Sequence, residues 1–267
     1  MTTSAGPDFS KERILLTNDD GIHAPGMEIL ERVVRELCDD VWVIAPEFEQ
    51  SGASHSLSIA NPIRLRQIDE KRFAIRGTPT DCVLMAYYDI MRDKRPTMLI
   101  SGINRGANLA EDVTYSGTCA AAMEGTQLGI RSVAMSLVFT IGGKARWATA
   151  ERYAGSVLRH LLKVEWRENS FLNVNFPDCD PPEVTGVMVT KQGQRPPGSF
   201  TLDARIDARN VPYYWVKISY QKGGEHNETD LEAIDRNAIS VTPLQLDLTH
   251  HEWRGRLEDG IKKLHLY

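Results

Sequence analysis

Residues 14–44 read ILLTNDDGIHAPGMEILERVVRELCDDVWVI, and their periodicity decides the fold. Ile14-Leu15-Leu16 is a short apolar run of strand character, stopped by the turn-forming Asn18-Asp19-Asp20-Gly21. Met27, Leu30, Val33, Val34 and Leu37 then recur at helical spacing and predict an amphipathic helix over 26–37. Val41-Trp42-Val43-Ile44 is the next strand. A strand, a helix and a strand in such close succession make a βαβ unit, whose two strands run parallel.

The alternation continues along the chain. Residues 63–75 read as a strand pair turning at Asp69-Glu70. Thr78-Pro79-Thr80-Asp81 combines a Thr cap, a Pro at the first helical position and an acid in the first turn, which together start a helix. That helix carries Leu84, Tyr87 or Tyr88, and Met91. Met98-Leu99-Ile100 is a third parallel strand, followed by an alanine-rich helix over 118–128. A strand over Val133 to Leu137, a helix over 147–163 and a strand over Phe171 to Val174 complete the series. This order predicts an α/β fold with a doubly wound, mainly parallel, Rossmann-like sheet over residues 13–180. Residues 1–12, small and polar, read as a loose lead-in. After Pro181-Pro182 the pattern changes. Strands at 184–190, 213–220 and Ile239-Ser240-Val241, with a Pro-, Gly- and Arg-rich stretch at 193–212 between the first two, read as a β-rich arm. A last helix is expected over Arg256–Leu264, within a C-terminal segment spanning 181–267.

Composition sets bounds on function. The 267 residues are 42% apolar and 25% charged, ordinary for a globular chain able to bury a core without disulfides or a structural metal. Lys and Arg number 31 against 36 acids, a formal net charge of −5. A dedicated binder of long nucleic acid neutralises phosphates with a basic surface, so that class is excluded. Cys38, Cys82, Cys119 and Cys179 form no C-x-x-C or zinc-like pair and read as buried small hydrophobes in a reducing cytoplasm. Neither a membrane span nor a signal-peptide pattern is legible, so the expected location is cytoplasmic.

Ligands of open α/β sheets bind beyond the carboxyl ends of the strands. Three polar loops leave such ends here: Asn18 to Gly21, Pro46 to Ser56, and Ser101 to Asn108 running on to Tyr115-Ser116-Gly117-Thr118. Adjacent Asp19 and Asp20 repel each other and need either solvent or a cation. Hard cations such as Mg²⁺ take one or two carboxylates with neutral oxygens, which Ser51 and Asn104 could supply. Asp-Gly is equally a common turn pair, and this loop alone leaves both readings open. Ser116-Gly117-Thr118 enters a helix whose free N–H groups favour an anion, with both hydroxyls able to donate to phosphate. Alone it reads as an ordinary helix cap. A cation loop and an anion loop at one sheet edge make a phosphate site.

Other phosphate and hydrolase motifs are absent. The first strand is not followed by G-x-G-x-x-G, and neither a P-loop nor a G-x-S-x-G elbow occurs. Ser54-His55 are sequence neighbours only. His250-His251-Glu252 lacks the second histidine that a zinc protease spacing requires, and reads as surface.

These residues resemble a known family. I-L-L-T-N-D-D-G-I-H-A-P-G from Ile14 to Gly26 is similar to the opening of the SurE family of survival-protein nucleotidases. Ala45-Pro46 with Ser51-Gly52-Ala53-Ser54, and Gly77-Thr78-Pro79-Thr80-Asp81-Cys82, fit the same family. So do Ser101-Gly102-Ile103-Asn104, Asn108, Tyr115-Ser116-Gly117-Thr118 and Ala122-Met123-Glu124-Gly125. Leu172-Asn173-Val174-Asn175 and Ser240-Val241-Thr242-Pro243-Leu244 are its later landmarks. The matches run in order from about residue 13 to residue 249.

The resemblance implies a metal-dependent phosphatase acting on nucleoside monophosphates at 5′ and often 3′ positions, some members also trimming short polyphosphate. It implies one divalent cation per subunit, Mg²⁺ or Mn²⁺, held by Asp19, Asp20, Ser51 and Asn104. Phosphate contacts fall on Asn108, Ser116, Gly117 and Thr118, and catalytic roles on Asp19, Asp20, Asn104 and Ser116. It further implies a homodimer or homotetramer built through an extended hairpin and the C-terminal segment. The competing expectations are a short-chain exopolyphosphatase or small-phosphoester phosphatase, and a nucleotide-binding module without catalysis.

Overall fold

Ile14–Thr17 (β1), Pro25–Arg35 (α1) and Val41–Pro46 (β2) form the expected parallel βαβ unit in a computed structural model that describes residues 9–140, 143–198, 200–218 and 227–262. α1 begins with Pro25 at its first turn and turns Met27, Ile29, Leu30, Val33 and Val34 inward. Gly26 is required there, since a Cβ at this position would lie 1.9 Å from the Ile103 carbonyl oxygen. α1 can pack onto the sheet at this depth only because that residue has no side chain.

The remaining elements follow in order. Arg64–Asp69 (β3) and Arg72–Arg76 (β4) are an antiparallel pair, with β4 lying parallel to β2. Pro79–Met85 (α2) starts in a capping box: the Asp81 N–H donates to Thr78 Oγ1 and the Thr78 N–H donates to Asp81 Oδ2. One π-helical turn, Ala86–Ile90, extends it. Met98–Arg105 (β5), Gly117–Gln127 (α3), Arg131–Leu137 (β6), Trp147–Leu161 (α4) and Ser170–Phe176 (β7) continue the parallel series.

Beyond Pro181 the chain returns to the same sheet. Gly186–Val189 (β8) pairs with Ala238–Gln245 (β11), which lies antiparallel against β7. The nine-stranded order is β3-β4-β2-β1-β5-β6-β7-β11-β8. Phe200–Ile206 (β9) and Pro212–Ile218 (β10) alone stand apart, as an antiparallel ribbon. The short helix Asp230–Asp235 (α5) leads into β11, and His251–Ile261 (α6) ends the described chain.

Strand alternation divides the core between two faces. Ile14, Leu16, Met98 and Ile100 pack with α1 and α4, whereas Leu15 and Leu99 face α2 and α3. All four cysteines are buried free thiols. Among the described residues no helix is long and apolar enough to cross a membrane.

Four expectations change. The stretch 193–212 contains β9, whose alternation is hidden because Leu202 and Ile206 are exposed and none of the described residues covers them. The C-terminal helix starts earlier, at His251, where the His250 ring accepts the Trp253 N–H; Leu264 lies outside the described residues, as do residues 219 and 220 of the expected strand at 213–220. The lead-in is not loose throughout. Phe9–Lys11 form a 3₁₀ turn, Phe9 joins the core, and the buried Glu12 receives Arg131 and the Thr97 hydroxyl; residues 1–8 are outside the described residues. Finally, β8 and β11 belong to the central sheet, so of the three strands expected beyond Pro181 only that at 213–220, seen as β10 and paired with the unexpected β9, stands apart from it.

Candidate functional site

The sheet reverses its winding between β1 and β5, neighbours in space that carry the chain outward in opposite directions. Their carboxyl ends open the crevice where ligands of doubly wound folds bind. The loops of Asp19-Asp20 and of Asn104 to Asn108 leave from that point.

Backbone hydrogen bonds join the three loops. The Gln50 N–H donates to the Asp19 carbonyl at 2.7 Å, and the Ile22 N–H to the Pro46 carbonyl at 2.8 Å. These bonds bring the second loop, and with it Ser51, to the first. The Ser54 N–H donates to the Tyr115 carbonyl and its hydroxyl to the Thr114 carbonyl, tying the second loop to the third. The Arg105 N–H donates to Asp20 Oδ2 at 2.8 Å, closing the third loop on the first.

Asp19 is buried, 4% exposed, at the N-terminus of α3. The Thr118 hydroxyl donates to its Oδ1 at 2.6 Å. A Cβ at Gly117 would stand 2.9 Å from Asp19 Cβ and 3.1 Å from Pro79 Cγ, so only glycine allows the helix end this close. Burial pushes the Asp19 carboxyl up from 3.8 to about 6; the Thr118 hydroxyl opposes that, the Asp20 charge adds to it, and the amides of Asp19 and Thr118 oppose it again. Asp20 is also raised, first by burial, against the Arg105 amide and with the Glu49 charge. Two adjacent carboxylates, both pushed towards protonation, are a site short of positive charge.

The expected neutral donors lie on the loops joined to them. The Asn104 side-chain N–H donates to the Gly106 carbonyl at 2.9 Å, which commits its nitrogen and leaves the amide oxygen as the available donor atom. Ser51 is exposed and its hydroxyl donates to Glu49 Oε1 at 2.8 Å, leaving its lone pairs. Asn18 Oδ1 and Ser101 Oγ are buried without a partner among the described residues. Among the described residues no three His, Cys, Asp or Glu side chains gather as a metal-binding group. An all-oxygen set of two carboxylates with neutral donors fits a hard divalent cation.

The expected anion side lies at the N-terminus of α3. Ser116 is its N-cap, its Oγ accepting the Cys119 N–H at 3.0 Å, so the hydroxyl proton remains for a ligand. Thr118 differs from expectation. Its hydroxyl proton is committed to Asp19, because a buried carboxylate takes the nearest donor. Asn108 is fixed on every side: its N–H donates to Asn175 Oδ1, its side-chain amide to Ser136 Oγ, and its carbonyl accepts from Asn173 and Asn175. The second proton of its amide group is uncommitted by these bonds.

Sequence reasoning missed the residues that hold the third loop from the far end of the chain. The buried Asp230 carboxylate accepts the N–H groups of Ala110, Gly193 and Leu231, each at 2.8 Å. The Arg195 guanidinium forks onto both Asp112 oxygens at 3.0 Å and reaches the Leu109 carbonyl. Between these supports Ala110 is held at a positive φ of 51°. Asn173 and Asn175 did carry a signal: two asparagines at period 2 on a buried strand must find partners.

A protein-family model described as Survival protein SurE matches residues 14–198. The 5′-nucleotidase SurE of Parvibaculum lavamentivorans is 52% identical over 94% of this chain and 92% of its own. That of Methylorubrum populi is 55% identical over 89% of this chain and 94% of its own. The crystal structure of the SurE protein from Aquifex aeolicus shares the fold at a TM-score of 0.80, with 36% identity, over 92% of this chain and 98% of that one. With a family model across most of its length and relatives more than half identical along nearly all of it, the chain belongs to the SurE family.

Proposed function

We propose that the protein is a metal-dependent phosphomonoesterase that hydrolyses nucleoside 5′-monophosphates, with 3′-monophosphates as secondary substrates, to nucleoside and phosphate. The observation that carries this reading is the juxtaposition of the Asp19-Asp20 pair with the N-terminus of α3. An anion site and a cation site there share one edge of the sheet. The names of relatives above 50% identity, 5′-nucleotidase SurE, support the same activity.

Asp19 and Asp20, with the Ser51 hydroxyl and the Asn104 amide oxygen, would hold one Mg²⁺ or Mn²⁺ per subunit. A hard divalent cation bound there neutralises phosphoryl charge and acidifies water. The chain's own residues supply the rest. The Ser116 hydroxyl donates to a phosphate oxygen while its own oxygen is held by the Cys119 N–H. The Gly117 N–H, the first of α3, faces the same anion, whereas Thr118 directs its hydroxyl and its amide to Asp19. Asn108, immobilised by Ser136, Asn173 and Asn175, adds a side-chain donor fixed in advance, the condition under which such donors stabilise developing charge. Among the described residues no base is hydrogen-bonded to the Ser116 hydroxyl, which favours water over a phospho-serine route.

The β9–β10 ribbon and α6 would build the oligomer, a dimer or tetramer. Leu202, Tyr214, Trp215 and Val216 are exposed on a two-stranded ribbon too small to be stable alone, and α6 exposes Trp253, Leu257 and Ile261 at helical spacing. Four buried free thiols suit a reducing, cytoplasmic setting.

The test is phosphate release from a panel of nucleoside monophosphates, sugar phosphates and short polyphosphate, with one cation at a time on chelator-treated protein. Turnover of AMP or GMP that depends on Mg²⁺ or Mn²⁺ is the expected result. Binding of nucleotides without turnover under every cation would refute it.

A further inference from the structure

Between the phosphate loop and the root of the ribbon lies a cavity of about 260 Å³, with Glu111, Asp112, Tyr115, Arg195, Pro197 and Phe200 in its wall. Tyr115 immediately precedes Ser116, so the cavity begins one residue from the proposed phosphate donor. The Tyr115 and Phe200 rings meet edge to face, with centroids 5.4 Å apart, and both stay about half exposed. Two solvent-facing aromatic rings from separate elements form an apolar corner that the described residues leave uncovered.

The corner is fixed in place. Arg195, itself buried, grips both Asp112 oxygens, and its N–H donates to Glu111 Oε1 at 2.8 Å. The Tyr115 N–H donates to the Asp112 carbonyl, and its carbonyl accepts from Ser54. The acids of the wall are therefore paired with Arg195, and the cavity suits a neutral planar group better than a second anion. Its volume lies below the range of about 300–1,000 Å³ typical of pockets that enclose whole drug-sized ligands, and fits one ring system.

The geometry points to this corner as the nucleobase subsite: the base stacks on Tyr115 and Phe200 while the phosphate lies at Ser116, so the root of the ribbon sets base preference. Aromatic platforms bind bases of any sequence because every base has a π-face. This inference rests on the nucleotidase reading above. Phe200 comes from the segment that also begins the ribbon, so one stretch of chain would serve both the subsite and the arm.

The test compares AMP with ribose 5-phosphate, which keeps the sugar and phosphate and lacks the base, in the full-length protein and in Tyr115→Ala, Tyr115→Phe and Phe200→Ala. The ratio of kcat/KM for AMP to that for ribose 5-phosphate should fall about tenfold in each alanine variant, chiefly through KM for AMP, and hold within twofold in Tyr115→Phe. A ratio unchanged in both alanine variants overturns the inference, as does a change of oligomeric state on size-exclusion chromatography with the ratio unmoved. Calorimetric titration with adenosine provides a second readout. If the wild type turns over neither substrate, the nucleotidase reading fails. Adenosine binding that is weakened in Tyr115→Ala then still supports the subsite, and no adenosine binding overturns it.

Discussion

Replacing Asp19 with asparagine should stabilise the metal-free protein while abolishing its turnover. The carboxylate is almost fully buried, with one strong hydrogen bond from Thr118, and burial raises it from 3.8 to about 6. Each tenfold change in proton affinity is worth about 1.4 kcal/mol, so keeping Asp19 charged in the fold costs about 3 kcal/mol above pH 6. A group raised in the folded state binds its proton more tightly there than in the unfolded chain. Metal-free wild type therefore gains stability as pH falls from about 6 towards 4. Asp20 and Asp230, also raised mainly by burial, act in the same sense. Asp40 acts oppositely but lower: despite its burial, bonds from Lys71, Arg13 and Trp42 hold it at about 2. Asparagine keeps an oxygen for Thr118 and removes the charge, so about 3 kcal/mol is the ceiling of the gain. For a chain of this size that is a rise of several degrees in Tm. Thermal unfolding of chelator-treated protein at pH 7.5 and pH 4.5 measures it, with the full difference from wild type expected at the higher pH and only about a third of it, about 1 kcal/mol, left at the lower. A cation at 100 times its Kd should add about 2.7 kcal/mol to wild type and nothing to the variant. A natively folded Asp19→Asn that is less stable than wild type without metal at pH 7.5 would refute the reasoning.

Three further perturbations test the rest of the site. Gly117→Ala drives a methyl group against Asp19 Cβ and Pro79, so the α3 N-terminus must retreat. Calorimetry should show weakened Mn²⁺ and phosphate binding together, and loss of only one would speak against a shared edge. Ser116→Ala removes the N-cap, costing about 1 kcal/mol in urea unfolding, and should lower kcat/KM at least tenfold; a stability loss with unaltered kinetics would leave Ser116 a cap and nothing more. Asp230→Asn puts an NH₂ group against at least one of three backbone donors, costing about 1–3 kcal/mol. It should also lower kcat/KM by loosening residues 108–112, and a purely thermodynamic effect would confine Asp230 to folding.

The parts of this molecule legible in sequence are those whose determinants are local. Met27, Leu30, Val33 and Val34 announce α1 by spacing, and Thr78-Pro79-Thr80-Asp81 announces α2 by its cap chemistry. Asp19 and Asp20 stood out because adjacent acids after a buried strand need a reason. What could not be read depends on partners far along the chain. The bond from Ala110 to Asp230 spans 120 residues and the pair of Arg195 with Asp112 spans 83. No local pattern distinguishes Asp230 from a surface acid, because its three donors are backbone amides assembled only by the fold. β9 stayed hidden for a different reason: a ribbon exposed on both faces has no inward side to mark its alternation. The Thr118 hydroxyl was assigned to a ligand because its proximity to Asp19 exists only in three dimensions.

That proximity also explains how a chain of net charge −5 can receive a dianion without a basic surface. Asp19 already occupies much of what the α3 N-terminus offers an anion, taking the Thr118 hydroxyl and drawing on the Thr118 amide. A phosphate arriving at Ser116 and Gly117 would meet that carboxylate across a glycine, with Asp20 beside it. Like charges so placed exclude one another unless a cation lies between them. On the proposed reading the acids act as a gate as well as a ligand set. With only protons to neutralise Asp19 the site favours an empty anion pocket at neutral pH, and with a divalent cation held by Asp19 and Asp20 the same helix end can serve both anions. On the proposed reading, phosphate affinity at this edge is a property of the occupied acid pair and not of the helix alone, so neither the Asp-Asp-Gly turn nor the Ser-Gly-Thr cap would carry the chemistry alone.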